Sequence, residues 1–332
     1  MAPPSPRLPR GRAVGIGLVI VSACAFGSGA LFAKPVYAAG LDWMTLLAWR
    51  FGFAALASWL WLLARPADRR ALRRLSRRRV LVLLGLGLLY VTNSGTYFAA
   101  LETVPASLAA LIVYIYPVLV AVLALRWGRR LAGRRPWLAL GIASLGVILA
   151  LGGIRAEGAP PLSGILLAVA SPIIYAVWII FAARLSGERP SSADALPPEA
   201  MESAEETDPG PAAALITTAT WVVYFVAATV TGRPTNPFAV PPEAWLGLIG
   251  VGLVSTAIAL QSFYAGTKRI GAAQAALIST VEPIWTITFA TLLFGETLGP
   301  LQLLGGALVI GGVILAQTAP SPERALVPQT SH

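Results

Sequence analysis

Charged and metal-binding side chains are scarce in this sequence. Only 12% of its 332 residues are charged, against about 25% in ordinary globular domains. The single cysteine, Cys24, has no partner for an intramolecular disulfide, and the single histidine, His332, lies at the C-terminal end. The sequence therefore predicts no metal site built from cysteine or histidine, no histidine base and no bound cofactor.

Aspartate is also rare, and the aspartates are scattered, at positions 42, 68, 194 and 208. Membrane enzymes that transfer lipid groups usually hold Mg²⁺ between clustered aspartates. Nucleotide-driven transporters commonly carry a G-x-x-x-x-G-K-[ST] motif, and this sequence has none. These absences favour a transporter that uses no nucleotide. An integral-membrane enzyme or a lipid scramblase acting on a small lipid-linked substrate stays open as the alternative.

Long apolar runs dominate instead, since 56% of the residues are hydrophobic. A helix needs about 20 apolar residues to cross a bilayer core of about 30 Å. Ten runs approach this length: 13–33, 44–64, 80–100, 106–126, 137–153, 162–184, 212–231, 244–265, 272–294 and 300–318. The sequence therefore predicts an all-α polytopic membrane protein with ten transmembrane helices in contact with the lipid bilayer.

Positive charge is concentrated between the apolar runs. Of the 25 lysines and arginines, eight fall within 65–79 and five within 126–135. A nucleic-acid patch would mix basic, aromatic and polar residues on a soluble fold, so no nucleic-acid partner is expected. With the N-terminus inside, 21 basic residues lie on the inner side and three on the outer side. The positive-inside rule then predicts a multi-pass inner-membrane protein with both termini cytoplasmic.

The segments outside the apolar runs differ in composition. Residues 1–12 and 319–332 are predicted as cytoplasmic tails, and 185–211, rich in proline, serine and glutamate, as a cytoplasmic linker. The predicted helices form a first five-helix repeat, 13–153, and a second, 162–318, which contains the linker. A regulatory role for the linker stays open.

An internal repeat relates the two halves. Residues 97–130 align without gaps on 263–296, an offset of 166 positions, and Pro117 recurs as Pro283. The pentapeptide GVILA also occurs twice at this offset. Because each unit holds an odd number of spans, the second must cross the membrane in the opposite sense. Inverted repeats of this kind are typical of secondary transporters, which use alternating access.

Short motifs in both halves carry a family resemblance. The second half contains KRIGAAQAAL, VEP and GE ahead of a glycine-rich closing helix, and the first half contains FGSGALFAKP and YFAALETVPASLAALIVYIYP. Together they resemble the EamA-type permeases of the drug/metabolite transporter superfamily over nearly the whole chain. The resemblance implies a transporter but no particular substrate. The first half departs from the pattern at Arg129 and Arg130, which replace Gly-Glu, and at Tyr116, which replaces the glutamate before Pro117.

Glu282 and Pro283 interrupt the ninth apolar run about 15 Å from its start, near the membrane midplane. An acid at this depth is costly and usually functional. Glu282 is therefore a candidate for substrate binding and for proton coupling, with a structural role in the turn as the alternative. The proline removes a backbone donor, which predicts free carbonyls near Ser279. Helix breaks that serve gating are predicted at Pro117, Pro172 and Pro283.

Arg50 is the other charge clearly inside a predicted span. It could bind a substrate carboxylate or phosphate, pair with an acid, or extend to the interface. Lys34 and Glu296 lie near span ends, where interfacial anchoring is expected.

Polar and aromatic residues recur at three- and four-residue spacing in several runs, where lipid contact would leave them misplaced. They predict an aromatic-lined pocket with few charges. The predicted substrate-binding residues are Arg50, Asn93, Tyr97, Tyr114, Tyr175, Trp178, Gln261, Tyr264, Glu282 and Trp285. Such a pocket suits a small amphipathic, amino-acid-like or drug-like molecule. The predicted function is secondary active transport of a small metabolite, in the export direction, with proton coupling and a homodimer both open.

Overall fold

The apolar runs of the sequence fold as helices. The computed structural model describes residues 10–126, 135–152, 159–185, 209–270, 275 and 278–317, and no strand occurs among them. The α-helices are α1 (Arg10–Ala38), α2 (Trp43–Ala64), α3 (Pro66–Arg74), α4 (Arg77–Leu101), α5 (Ala106–Val113), α6 (Tyr116–Arg126), α7 (Arg135–Gly152), α8 (Leu162–Leu185), α9 (Pro209–Val230), α10 (Trp245–Ile249), α11 (Ala259–Ile270), α12 (Val281–Phe294) and α13 (Pro300–Gln317). A π-helix, Gly250–Ile258, joins α10 to α11, and two 3₁₀ turns, Pro237–Ala239 and Pro242–Ala244, precede α10.

Six helical segments are long and apolar enough to cross a bilayer: Gly11–Ala38, Trp43–Ala64, Arg77–Leu101, Leu162–Phe181, Gly210–Val230 and Pro242–Thr267. Four shorter apolar helices occupy the positions of the other predicted spans: Ala106–Val120, Trp137–Leu151, Val281–Phe294 and Pro300–Leu315. Large apolar side chains such as Leu162 and Leu246, 70% and 78% exposed, face outward, as lipid contact requires. Over its described residues the chain is an all-helical polytopic membrane protein.

Several predicted boundaries differ from the structure or fall outside it. α1 begins at Arg10 and runs to Ala38, through Pro35, so it is longer than the predicted span of 13–33. The N-terminal tail up to residue 9, the tail 319–332 and residues 186–208 of the predicted linker 185–211 lie outside the described residues. The last residues of that linker, from Pro209, belong to α9.

The helices pack in close pairs. α2 lies along α9, α7 along α13, α1 along α11 and α4 along α8. Small residues permit the closest approach: a Cβ added to Gly146 on α7 would lie 2.6 Å from the carbonyl oxygen of Gly305 on α13. Without a side chain between them, the two backbones make direct van der Waals contact, which is the main source of helix association in lipid.

Two of the apolar segments are interrupted next to a proline. The chain turns at Tyr114 and Ile115, between α5 and α6, and Pro117 is the second residue of α6. A second turn precedes α12, in which Pro283 is the third residue. α8, in contrast, runs unbroken through Pro172, so the helix break predicted there is wrong. A proline inside a membrane helix is tolerated when neighbouring groups satisfy the freed carbonyl.

Candidate functional site

A small cavity, with room for about one water molecule, lies where α1, α4, α5 and α12 meet. Its lining consists of Phe26, Gly27, Tyr97, Ala110, Val113, Tyr114, Glu282, Pro283 and Thr286. Glu282 is the only charged residue in this lining. The cavity therefore brings together Tyr97, Tyr114 and Glu282, three of the predicted site residues.

The Glu282 side chain has no fixed partner in the part of the chain that the structure describes. It accepts no hydrogen bond and forms no ion pair with any described residue, while Tyr90, Tyr97, Tyr114 and Tyr116 lie near enough to interact with its charge. An unpaired carboxyl group inside a membrane protein is costly, so a proton or a ligand is needed to satisfy it.

The turn before Glu282 is closed by the chain itself. The backbone N–H of Glu282 donates to the Ser279 carbonyl at 3.0 Å, and the Ser279 hydroxyl donates to the Ala275 carbonyl at 3.0 Å. The expectation of a free carbonyl at Ser279 is therefore wrong. The Ser279 carbonyl oxygen thus already accepts a backbone hydrogen bond within the turn.

Gly27 brings α1 against this turn. An added Cβ at Gly27 would lie 2.8 Å from both the Glu282 carbonyl oxygen and the Thr286 Oγ1. The Thr286 hydroxyl donates to the Gly27 carbonyl at 2.9 Å. Only glycine permits this contact, which fixes the position of Glu282 relative to α1.

Arg50 lies in α2 and is 7% exposed. Its Nε donates to the Thr256 Oγ1 at 3.0 Å, and the Thr256 hydroxyl donates to the Val251 carbonyl at 2.9 Å. The guanidinium carbon lies 4.6 Å from the centroid of the Phe98 ring and 5.2 Å from that of Phe51, which is the range of a cation–π contact. No described acidic side chain forms an ion pair with it.

Tyr97 connects the two charges. Its phenol lies within electrostatic reach of both Arg50 and Glu282 and also lines the small cavity. The Tyr90 phenol also lies within electrostatic reach of both charges. Two opposite charges of a transmembrane region thus share tyrosine neighbours without contacting each other.

A row of aromatic rings leads away from the cavity. Ring centroids are 5.9 Å apart for Tyr114 and Tyr116, 4.7 Å for Tyr116 and Tyr175, and 6.1 Å for Tyr175 and Trp178. The Trp178 ring then contacts Tyr90 at 4.9 Å. This row runs from Tyr114, in the lining of the Glu282 cavity, to Tyr90, whose ring centroid lies 5.9 Å from that of Phe51 beside Arg50.

The remaining predicted site residues are placed less centrally. The indole N–H of Trp178 donates to the Leu86 carbonyl at 2.9 Å, and that of Trp285 donates to the Ser28 hydroxyl at 3.0 Å. Both N–H groups therefore already have a hydrogen-bond acceptor within the protein. The Asn93 amide is 7% exposed and makes no hydrogen bond with a described residue. The other two predicted residues lie in α11: Gln261 is half-buried, and the side chain of Tyr264 lies outside the described part.

Glu296 and Lys34 bind helix ends. The Glu296 carboxylate accepts hydrogen bonds from the backbone N–H groups of Ala106 and Ser107, at 2.9 and 2.8 Å, at the start of α5. The Lys34 ammonium donates to the Leu101 and Val104 carbonyls, at 2.9 and 2.7 Å, at the end of α4. Each charge has the sign that the helix dipole favours. Both side chains therefore join helices at one end of the bundle, which we call the Glu296 end.

Comparison with known families matches the chain, over residues 13–152 and 201–318, to the family described as EamA-like transporter family. The chain belongs to that family. An uncharacterized transporter of Archaeoglobus fulgidus is 28% identical over 305 residues, which cover 91% of this chain and 96% of the relative. The uncharacterized transporter YcbK of Bacillus subtilis is 29% identical over 223 residues, or 67% of this chain and 65% of the relative.

The fold also has a counterpart among solved structures. A crystal structure superposes on this EamA-like transporter with a TM-score of 0.62 and 19% identity, over 95% of this chain and 100% of that chain. At this identity the match supports the fold alone. Family and relatives together indicate a membrane transporter rather than an enzyme.

Sequence reasoning missed several residues that build the site of this transporter. Thr256, which holds Arg50, and Gly27, which positions Glu282, carry no signal in a single sequence because their roles depend on a neighbouring helix. Tyr116 was identified from the sequence only as a departure from the family pattern, and its correspondence to Glu282 in the repeat is the signal that could have placed it in the site.

A second, larger cavity was not predicted from the sequence. It measures 440 Å³, lies between α2 and α9, and carries no charged side chain in its lining. Its aromatic residues are Trp49, Phe53, Trp59, Trp221 and Phe225. Because Leu56 in its lining is 56% exposed, the groove opens on the surface that faces lipid.

Proposed function

We propose that this EamA-like transporter is a secondary carrier that exports a small amphipathic metabolite across the inner membrane by alternating access of two inverted five-helix repeats. The repeats are 13–153 and 162–318, and the four shorter apolar helices complete the ten spans. The observation that carries the proposal is an exchange symmetry in the helix contacts, because a carrier with inverted repeats opens to either side by exchanging the conformations of its halves.

Two glycine contacts between α7 and α13 express this symmetry residue by residue. An added Cβ at Gly146 would lie 2.6 Å from the Gly305 carbonyl oxygen, and one at Gly312 would lie 2.8 Å from the Ala139 carbonyl oxygen. Moving each partner by the repeat offset of 166 converts the first pair into the second. A two-fold relation between the halves produces this result, whereas an unrelated packing of two helices has no reason to.

The helix pairs follow the same exchange. When α1 is exchanged with α8, and α4 with the segment 245–270, the contact of α1 with α11 becomes that of α8 with α4. The pairs α2–α9 and α7–α13 are exchanged with themselves. The broken helices also correspond, since the turns before Pro117 and Pro283 match within one residue at the repeat offset. We propose that these turns, rather than Pro172, serve gating.

The site chemistry supports a coupled carrier. Glu282 lies in the small cavity and its carboxyl group has no partner among the described residues. It can bind or release a proton when the cavity opens to water, so it is the proposed coupling residue. Arg50, Asn93, Tyr97, Tyr114 and the aromatic row surround the proposed substrate path. The carrier can serve as a monomer or a homodimer under this proposal.

Orientation and direction rest on charge. The placement of 21 basic residues on one side supports cytoplasmic termini. In that orientation the Glu296 end is outer, and the contacts of Glu296 with α5 close it. In the proposed cycle, export begins when substrate enters from the inner side while the Glu296 end is closed.

Counterflow in proteoliposomes tests the proposal. Liposomes loaded with unlabelled substrate should take up labelled substrate transiently and saturably, and the rate should rise with the internal concentration. A linear, unsaturable flux would indicate a channel or a scramblase instead. Chemical turnover of the substrate without movement across the bilayer would indicate an enzyme.

A further inference from the structure

Arg50 is a buried cation that has no ion-pair partner among the described residues and is held in place by the protein. It is more than nine-tenths buried, and the ion pair recorded in the described residues joins Arg233 to Asp42 instead. A buried charge without a counter-ion is strongly unfavourable, because the free energy lost when the charge leaves water is not recovered. No acidic side chain among the described residues supplies the counter-ion, and an anionic group on a ligand would supply it.

The guanidinium presents one occupied edge and one free edge. Nε is bound by Thr256, and the Phe98 and Phe51 rings lie beside the group. The other four N–H groups, on Nη1 and Nη2, donate to no described residue. A fixed planar fork with two parallel donors matches a carboxylate or a phosphate in a bidentate way.

The surroundings favour a single negative charge. Four phenols, those of Tyr37, Tyr90, Tyr97 and Tyr224, lie within electrostatic reach of Arg50, and a phenol is a neutral hydrogen-bonding group at ordinary pH. No second cation lies among them. A dianionic phosphate would leave one charge unmatched in a desolvated site, whereas a carboxylate is neutralised by one arginine.

We propose that Arg50 is the subsite for a carboxylate on the transported molecule, so that the substrate class is small apolar or aromatic monocarboxylates. The aromatic row between Glu282 and Arg50 then contacts the apolar body of the substrate, and Glu282 stays available for the coupled proton. This inference rests on the proposed carrier function and names its substrate class.

Binding to purified protein tests the subsite separately from transport. The probes share a phenyl body and differ in charge: 3-phenylpropanoate carries a carboxylate, phenethylamine an amine, phenylalanine both, and 2-phenylethylphosphonate is a dianion when the assay is run at mildly alkaline pH. Affinity is measured by isothermal titration or by thermal shift at millimolar probe. We expect the two carboxylates to bind the wild type more tightly than the amine and the phosphonate.

Variants assign the effect to the guanidinium. Arg50→Gln should weaken carboxylate binding about 10- to 100-fold, the range for losing hydrogen bonds to a charged group, and Arg50→Lys should restore part of it. Arg65→Gln is the matched control. Arg65 follows α2 directly, is exposed, and has its guanidinium carbon 4.0 Å from the Trp61 ring centroid, so carboxylate binding should not change.

Folding is checked by size exclusion, and Thr256→Val provides a second variant if Arg50→Gln does not fold. It removes the acceptor of Nε while keeping Arg50, so carboxylate affinity should fall by a smaller factor. Unchanged carboxylate binding in folded Arg50→Gln or Thr256→Val overturns the subsite, as does a wild type that binds none of the carboxylates or prefers the amine.

The subsite and the carrier function fail in different ways. Carboxylate binding that needs Arg50, combined with no counterflow of 3-phenylpropanoate or phenylalanine, supports the subsite and contradicts the carrier. Saturable counterflow of phenethylamine that is insensitive to Arg50→Gln supports the carrier and contradicts the subsite.

Discussion

The Glu296 carboxylate accepts two hydrogen bonds from Ser107, one from the backbone N–H at 2.8 Å and one from the hydroxyl at 2.7 Å, across 189 positions of sequence. A side chain from one half thus caps a helix of the other half. In water a cap of this kind contributes about 0.5–2 kcal/mol, and the partly buried position here places it within that range or above it.

Glu296→Ala should therefore lower the free energy of unfolding by about 0.5–2 kcal/mol, because two backbone N–H groups at the start of α5 lose their acceptor. Ser107→Ala, which removes only the hydroxyl, should cost less. Thermal unfolding in detergent measures both. Glu243→Gln, at an exposed acid in the 3₁₀ turn before α10, is the control and should leave the melting temperature unchanged. Equal melting temperatures for Glu296→Ala and the control would contradict the assignment.

Gly27→Ala should destabilise the protein by about 1–3 kcal/mol, the usual cost of overpacking. Its Cβ would meet the Glu282 carbonyl oxygen at 2.8 Å, and a backbone atom cannot rotate away. Gly29→Ala is the matched control two residues along α1, since its Cβ would lie 3.6 Å from the nearest atom, the Cβ of Ser255. A melting temperature that falls for Gly29→Ala and not for Gly27→Ala would show that α1 and α12 pack differently.

Glu282→Gln should abolish the dependence of transport on a pH gradient while preserving counterflow. The amide resembles the protonated carboxyl group in size but cannot release a proton. Uptake into proteoliposomes, with and without an imposed gradient, measures the effect, and Glu243→Gln serves as control. If gradient-driven uptake survives in Glu282→Gln, another group carries the proton.

Thr256→Val should lower stability by about 1–3 kcal/mol, because a buried, charged donor loses its acceptor. Valine has nearly the shape of threonine, so the loss reports the hydroxyl. Thr256→Ser keeps the hydroxyl and should recover most of the difference. Denaturant or thermal unfolding of the three proteins under one set of conditions measures it. A serine variant no better than the valine variant would mean that packing, and not the bond to Arg50 Nε, is what Thr256 supplies.

Gly146→Ala and Gly312→Ala should destabilise the protein by similar amounts, about 1–3 kcal/mol each, because the two contacts are images of each other in the repeat. Gly311→Ala is the control, since Gly311 lies next to Gly312 in α13 and has open space around its Cβ. It should be neutral or stabilising by up to about 1 kcal/mol, the gain in helix propensity. Widely different losses at positions 146 and 312 would count against the two-fold relation.

The positions of the helices could be read from the sequence because the bilayer sets a minimum apolar length for each span. The turn before Pro117 was predictable for a local reason, since proline removes a backbone donor. The same rule failed at Pro172, where α8 continues. Whether a proline breaks a helix depends on the groups packed around it, and a single sequence does not contain that information.

The candidate site was predictable to a similar depth. Glu282 and Arg50 are noticeable because charge is rare in apolar runs. Gly27 and Thr256 position these two side chains. Their roles could not be predicted, because they depend on which turn of one helix faces another. For Glu296 the sequence predicted only interfacial anchoring. Its hydrogen bonds to the start of α5 were not predicted, because α5 lies far from Glu296 in sequence.

The contact between Gly146 and Gly305 joins two backbones with no side chain between them. No rotamer change can loosen such a joint, and sliding it by one residue would drive Cβ atoms into carbonyl groups. α7 and α13 therefore behave as one rigid strut. In the proposed carrier, the motion that exposes the Glu282 cavity to one side or the other would therefore leave these two helices together and move the other helices around them.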